Sequence, residues 1–133
     1  MPAETQPDRP TVAVIGASPD RHKYGNKSVR AHLQQGYEVY PVNPNCEEVE
    51  GIRCYAAVGD VPVERITRVT MYVPPQVGIK LLEDIAAKGC DEFWLNPGSE
   101  SDALIAKAES LGLRPILACS IVDLGVSPAQ FRA

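Results

Sequence analysis

The sequence predicts an α/β protein built in three layers, a doubly wound parallel sheet covered by helices on both faces. Two observations carry this. Short apolar, β-branched runs at Thr11–Ile15, Glu38–Val42 and residues 68–73, 91–95 and 114–119 alternate with stretches whose apolar residues recur at helical spacing. The links between them are short and rich in glycine, proline and small polar residues. At 133 residues the chain is expected to form one domain over residues 11–133, after a flexible N-terminal tail over residues 1–10 that holds three prolines.

Thr11–Ile15 alternates little, as suits a central strand covered on both sides, and Gly16-Ala-Ser18 ends it. A loop runs on to Gly25. Asn26 or Ser28 is the expected cap of a helix that faces the sheet with Val29 and Leu33, leaves His32 to solvent and ends at Gly36. Glu38–Val42 is the second strand, and Pro41 and Pro44 force the chain out of the sheet at its end. Residues 46–50 are expected to form a turn of helix, residues 52–55 a short edge strand and residues 60–62 a loop or cap.

Residues 68–73 form the next strand, stopped by Pro74-Pro75. Val77, Leu81, Leu82, Ile85 and Ala86 then mark one helix over residues 76–88, closed by Gly89. A strand over residues 91–95 and a turn at Asn96-Pro-Gly-Ser99 lead to a helix capped by Ser99 or Ser101, with Leu104, Ile105, Ala108 and Leu111 on one side and Gly112 at its end. Residues 114–119 are the last strand, and a helical turn is expected over residues 128–131.

Composition narrows the function. Hydrophobic residues make up 44% and charged residues 23%, and no apolar run approaches the roughly 20 residues that cross a bilayer, so no membrane partner is expected. The N-terminus lacks the apolar core of a signal peptide, which predicts a cytoplasmic location. A net charge of −4 argues against a nucleic acid partner. The four cysteines form no Cys-x-x-Cys pair, so no metal site is expected, and reduced thiols are the plainer reading, Cys119 included.

The charge distribution is informative where the net charge is not. No acid stands between Asp20 and Glu38, while Arg21, Lys23, Lys27 and Arg30 follow the glycine turn closely. A solvated basic face is the ordinary reading of such a run. Beside a turn able to hold a phosphate, anion binding is the better one. A dehydrogenase of this architecture places an acid at the end of its second strand to hold the ribose of NAD, whereas this chain has Asn43-Pro44 there.

In parallel sheets the ligand sits beyond the C-terminal strand ends. Those ends read Gly16-Ala17-Ser18, Asn43-Pro44, Pro74-Pro75, Asn96-Pro97-Gly98 and Cys119-Ser120, residues that let a ligand approach the backbone but offer little chemistry. Catalytic motifs of the serine hydrolase, zinc protease and Walker types are absent from the sequence.

Together, Val14-Ile-Gly-Ala-Ser18, Gly36-Tyr-Glu-Val-Tyr-Pro-Val-Asn-Pro44, Val49-Glu-Gly-Ile-Arg-Cys-Tyr55, Val73-Pro-Pro75 and Phe93-Trp-Leu-Asn-Pro-Gly98 resemble the stand-alone CoA-binding domain family. These are Rossmann-like proteins related to the CoA-binding domain of succinyl-CoA synthetase and of ADP-forming acyl-CoA synthetases. The resemblance covers about residues 11 to 119. It implies that Gly16, Ala17 and Ser18 meet the phosphates of coenzyme A or acyl-CoA, with Arg21, Lys23 and Ser28 nearby. Asn43 and Pro44 would flank the adenine and ribose, Val73, Pro74 and Pro75 the adenine or the start of the pantetheine arm, and Asn96, Pro97 and Gly98 the path to the thiol.

Many relatives carry glutamine and glycine where Asn96-Pro97 stands here. The synthetases also use a further domain with a phosphorylated histidine, which these 133 residues do not contain. The resemblance therefore implies non-catalytic binding of CoA, with a regulatory or carrier role and a protein partner or homo-oligomer. The alternatives are a CoA-site subunit that becomes an enzyme only with its partner, and an NAD(P)-binding protein.

Overall fold

Along Thr11–Ile15 (β1) every residue after Thr11 is buried, and the side chains alternate between two cores, as a central strand requires. Val12 and Val14 pack with Val39, Val29 and Ala17 on one face, and Ala13 and Ile15 with Val69, Met71, Phe93 and Leu95 on the other. This computed structural model describes residues 9–133, so most of the expected N-terminal tail lies outside it.

The sheet has five parallel strands in the order β2-β1-β5-β6-β7: Glu38–Val42 (β2), β1, Ile66–Met71 (β5), Cys90–Leu95 (β6) and Pro115–Leu117 (β7). Helix α1 (Tyr24–Gln34) covers one face together with the C-terminal segment, where Ala31, Ile121 and Phe131 form a small core of their own. The other face is covered by α2 (Pro75–Gly78), α3 (Leu82–Lys88) and α4 (Asp102–Ser110), which bring Leu82, Ile85, Leu104 and Ala108 onto the strands. The chain is thus the doubly wound three-layer fold. Its strand order reverses at β1: α1 leads to β2 on one side, and the connection after β2 returns to β5 on the other.

Several local expectations are corrected. Residues 46–50 form no helical turn; Glu48–Val49 (β3) and Ile52–Arg53 (β4) make an antiparallel hairpin, with Glu50 at φ 52 and Gly51 at φ 76 in its two-residue turn. Helix α1 starts at Tyr24 with Lys23 in the cap position and no side-chain cap, so Asn26 and Ser28 lie inside it. Its buried residues are Gly25, Asn26, Ser28, Val29, Ala31 and His32, so Leu33 is exposed and His32 is fully buried. The helix expected over residues 76–88 is broken by a 3-10 turn at Ile79–Leu81. Gly78 packs so closely on Met71 that a Cβ there would collide with its sulfur. The last strand is shorter than expected, and α5 (Ser120–Asp123) follows it. Ser101, not Ser99, caps α4, accepting from the Leu104 N–H at 3.1 Å.

One charge is buried in the α1 face. Arg68 of β5 is 4% exposed, and its guanidinium pairs with Glu92 at 2.9 Å and Asp123 at 2.7 Å while stacking on the Trp94 ring at 4.7 Å. It also faces His32 Nε2 at 3.5 Å. The His32 Nδ1 lies 2.8 Å from the Ser28 carbonyl oxygen, so the proton sits on Nδ1 and Nε2 accepts. Burial first, and then the Arg68 charge against the helping Ser28 carbonyl, bring the His32 pKa down to about 4.

Candidate functional site

Gly16 turns the chain out of β1 at φ 90, and its N–H donates to the Val42 carbonyl at 3.0 Å. A Cβ there would also stand 3.1 Å from Val73 Cγ1 and 3.2 Å from the Tyr72 carbonyl carbon, so a side chain at this position is strained in φ and crowds both neighbours. The turn is then tied down by amides. Asn43 Nδ2 donates to the Ala17 carbonyl at 2.7 Å, and Asn26 Nδ2 donates to the Ser18 carbonyl at 2.9 Å. Ser18 Oγ accepts from the Asp20 N–H at 3.0 Å, closing the loop that follows.

Gly25 completes the turn from the helix side. A Cβ on it would overlap the Gly16 carbonyl oxygen and stand 2.9 Å from the Gly16 carbonyl carbon. It does what the third glycine of a dinucleotide fingerprint does, allowing a helix N-terminus to approach the strand end closely, but from nine residues along rather than five. Spacing alone does not expose it. The first turn of α1 therefore brings backbone N–H groups without intrahelical acceptors to the Gly16 loop.

The basic run is only partly free. Arg30 donates to Asn26 Oδ1 at 2.7 Å, the Arg21 carbonyl at 2.8 Å and the Arg132 carbonyl at 2.7 Å, fastening the loop to the C-terminal segment. Arg21 pairs with Glu50 at 3.3 Å. Glu50, from the hairpin tip, also accepts from Asn26 Nδ2 at 2.9 Å. Among the described residues Lys23 and Lys27 form no ion pair, and Lys23 is exposed beside the loop. Ser28 is fully buried, its hydroxyl 3.3 Å from His32 Nδ1, and does not reach the loop surface.

At the strand-order reversal the C-terminal edge opens into a cleft of about 300 Å³. Four residues named from the sequence line it: Gly16, Asn43, Pro44 and Val73. Ile15 and Val42 form its floor, Ala56, Ala57 and Val58 one wall, and Val77 and Leu81 the other. Ala56, Ala57 and Val58 carry no signal in the sequence, because that segment has no periodic pattern, while Val77 and Leu81 stand out there only as helix residues. Asn45 adds an amide, and Asp84 of α3 is the one charged group in the lining.

The remaining candidates stand apart from that cleft. Pro74 precedes α2 and Pro75 opens it, a position where a missing N–H costs nothing. Asn96 is 2% exposed and fully engaged with the protein: Nδ2 donates to Thr70 Oγ1 at 2.6 Å and the Met71 carbonyl at 2.9 Å, and Oδ1 accepts from the Ser120 N–H at 2.9 Å. Pro97 and Gly98 are exposed in the turn after β6. No helix among the described residues is long and apolar enough to cross a membrane, and no group of three metal-ligating side chains occurs among them.

A parallel five-stranded sheet with a glycine turn, a tethered helix start and an apolar cleft at its reversal point defines a Rossmann-like α/β protein. The chain belongs to the CoA binding domain family, whose model matches residues 10–125. It is similar to the acetate–CoA ligase [ADP-forming] of Methanocaldococcus jannaschii, 37% identical over 79 residues, which are 59% of this chain and 11% of that protein. It is equally similar to the alpha subunit of acetate–CoA ligase [ADP-forming] II of Pyrococcus furiosus, 37% identical over 79 residues and 17% of that subunit. The chain thus spans a small fraction of the curated relatives it matches. Among solved structures, a conserved hypothetical protein from Pyrococcus furiosus superimposes with a TM-score of 0.76 at 33% identity, over 86% of this chain and 98% of that one. An acetyl-coenzyme A synthetase from Ca. Korarchaeum cryptofilum, in complex with phosphate and ADP, matches with a TM-score of 0.71 at 30% identity, over 81% of this chain and 25% of that one.

Proposed function

We propose that the protein binds coenzyme A or a short acyl-CoA along the C-terminal edge of its sheet, without catalysing a reaction by itself. The observation that carries this reading is the joining of two ligand-facing loops: Asn43, at the proline-bracketed end of β2, holds the Ala17 carbonyl of the glycine turn at 2.7 Å. One edge therefore offers a phosphate loop and an apolar cleft side by side. The cleft, about 300 Å³, is at the small end for ligand sites. It suits one end of a CoA molecule, with the rest lying along the edge.

Charge assigns the parts. The phosphates belong at Gly16, Ala17 and Ser18, where Lys23 is exposed and the α1 N-terminus favours anions. They are kept off the cleft wall by Asp84, which suits a donor such as an amine or amide N–H. Arg21 acts through its pair with Glu50, and Pro74 and Pro75 by fixing the start of α2 beside Val77. Asn96 acts by holding β5, β6 and α5 in place, and Pro97 and Gly98 contact only a ligand part that extends past β6.

Isothermal titration with CoA, acetyl-CoA and NAD tests the reading. Micromolar binding of a CoA species with no heat from NAD is expected; no heat from either CoA species overturns it. A second reading, a CoA-site subunit of a partner-dependent synthetase, is supported by the similarity to a ligase alpha subunit. Co-purification of a complex that forms acyl-CoA from ATP, CoA and an acid would replace the stand-alone reading by this one.

A further inference from the structure

The hairpin β3-β4 brings together two thiols that the CoA site does not use. Cys46 lies two residues before β3 and Cys54 one residue after β4, and their Sγ atoms are 3.5 Å apart. The hairpin is anchored by Val49, fully buried with Val12, Val14 and Val39, so native packing itself holds the sulfurs close. The two differ in access: Cys46 is half-buried, whereas Cys54 is 8% exposed and its Sγ donates to the Asn43 carbonyl at 3.6 Å. The other cysteines are elsewhere, Cys90 opening β6 and Cys119 preceding α5.

We propose that Cys46 and Cys54 form a thiol–disulfide exchange site for low-molecular-weight disulfides, with Cys46 the entry thiol and Cys54 the resolving thiol. The Cys46 thiolate attacks one sulfur of a small disulfide RSSR; the S–S bond breaks, and one RS⁻ leaves and takes up a proton as RSH. The mixed disulfide on Cys46 is then attacked by the Cys54 sulfur, whose proton passes to water, and the second RS⁻ leaves. Two protein thiols and RSSR become one Cys46–Cys54 disulfide and two RSH. Desolvation, with the hydrogen bond and charge of Cys46 adding to it, pushes the Cys54 thiol up to about 12. Desolvation remains, but the two Cys46 contributions vanish once that sulfur carries the mixed disulfide, so the resolving thiol ionises more readily there than in the reduced pair.

The bridge bears on the cleft. Closing it draws the Cys54 sulfur off the Asn43 carbonyl, and Asn43 is the residue whose side chain holds the glycine turn. Cys46 also directly follows Asn45 of the lining. This coupling rests on the CoA reading; the exchange chemistry does not.

The test uses the reduced full-length protein, treated under native conditions with oxidised glutathione or CoA disulfide, quenched by alkylation and mapped by mass spectrometry. Loss of two of the four thiols with a Cys46–Cys54 linkage is expected. Cys54→Ser should trap the mixed disulfide at Cys46, and Cys46→Ser should leave Cys54 unmodified. Absence of the linkage, first modification at Cys54, or equal modification of Cys90 or Cys119 overturns the proposal. CoA titration of the reduced and bridged forms should give affinities at least about fivefold apart. Equal affinities overturn the coupling, and no binding in either form overturns the CoA reading while the exchange site stands.

Discussion

Replacing Gly25 by alanine puts one methyl group where the first turn of α1 meets the glycine loop. The added Cβ overlaps the Gly16 carbonyl oxygen and stands 2.9 Å from the Gly16 carbonyl carbon and 3.2 Å from the Ala17 Cα. All three are backbone atoms, so no side chain can rotate away. Either α1 withdraws or the loop does, and the retreat needed is on the order of an ångström. Overpacking of this kind costs about 1–3 kcal/mol, a fall in Tm of roughly 3–6 °C per kcal/mol for a domain of this size. The larger consequence is for ligand. Displacing the Gly16-Ala17-Ser18 amides from a phosphate removes at least one charge-assisted hydrogen bond, about 1.5–3 kcal/mol, which is roughly a 10- to 100-fold loss of affinity.

Gly36→Ala is the control, since Gly36 needs its φ of 87 but has nothing within 4 Å of a Cβ. It should lose about 1 kcal/mol of stability with no change in CoA affinity. Calorimetric titration and thermal melting of the two variants separate strain from site geometry. A Gly25→Ala protein that binds CoA as the wild type does would refute the argument that this contact shapes the phosphate loop.

Other consequences are as direct. Ser18→Glu sets a carboxylate against the ligand phosphates and should abolish CoA binding while the melting temperature stays within about 3 °C of wild type; retained affinity would move the phosphates elsewhere. His32 is protonated with a pKa of about 4 when folded and near 6.5 when unfolded. The unfolded chain therefore binds the extra proton between those values, and stability falls as pH drops from about 6.5 to 4, by up to about 3 kcal/mol. Denaturant melts of wild type and His32→Gln across that range check this, the variant giving the flatter profile. Arg68→Met leaves Glu92 and Asp123 without their shared cation, but both are partly exposed, at 38% and 45%. The expected loss is therefore about 1–3 kcal/mol, below that of a fully buried pair, and an unchanged denaturation midpoint would contradict it.

Where a residue's environment is set by its own strand, the sequence reading and the structure agree. β1 and β2 have the expected bounds, because a run of β-branched residues interrupted only by Ala13 and a strand ended by prolines leave little choice. His32 differs from its expected solvent position because it shares the buried side of α1 with Ser28 and Val29, where it meets Arg68, 36 positions away in sequence. The β3-β4 hairpin was hidden by Glu50, a non-glycine residue at φ 52 that interaction with Arg21 and Asn26 holds in place. The site divides the same way. Gly16, Asn43, Pro44 and Val73 follow directly from strand ends, whereas Gly25, Ala56 to Val58 and Asp84 reach the edge only through the crossovers. Ser28 and Asn96 lie near the right strand ends but turn inward, into hydrogen bonds of the fold.

Amide chemical shifts followed during a CoA titration report where the ligand lies as well as whether it binds. Saturable shifts are expected at Gly16, Ala17, Asn43, Asn45 and Val73, with Gly112, Leu113 and Arg65 at the opposite edge of the sheet unmoved. Shifts confined to that opposite edge, or none at all at millimolar CoA, would contradict the CoA reading.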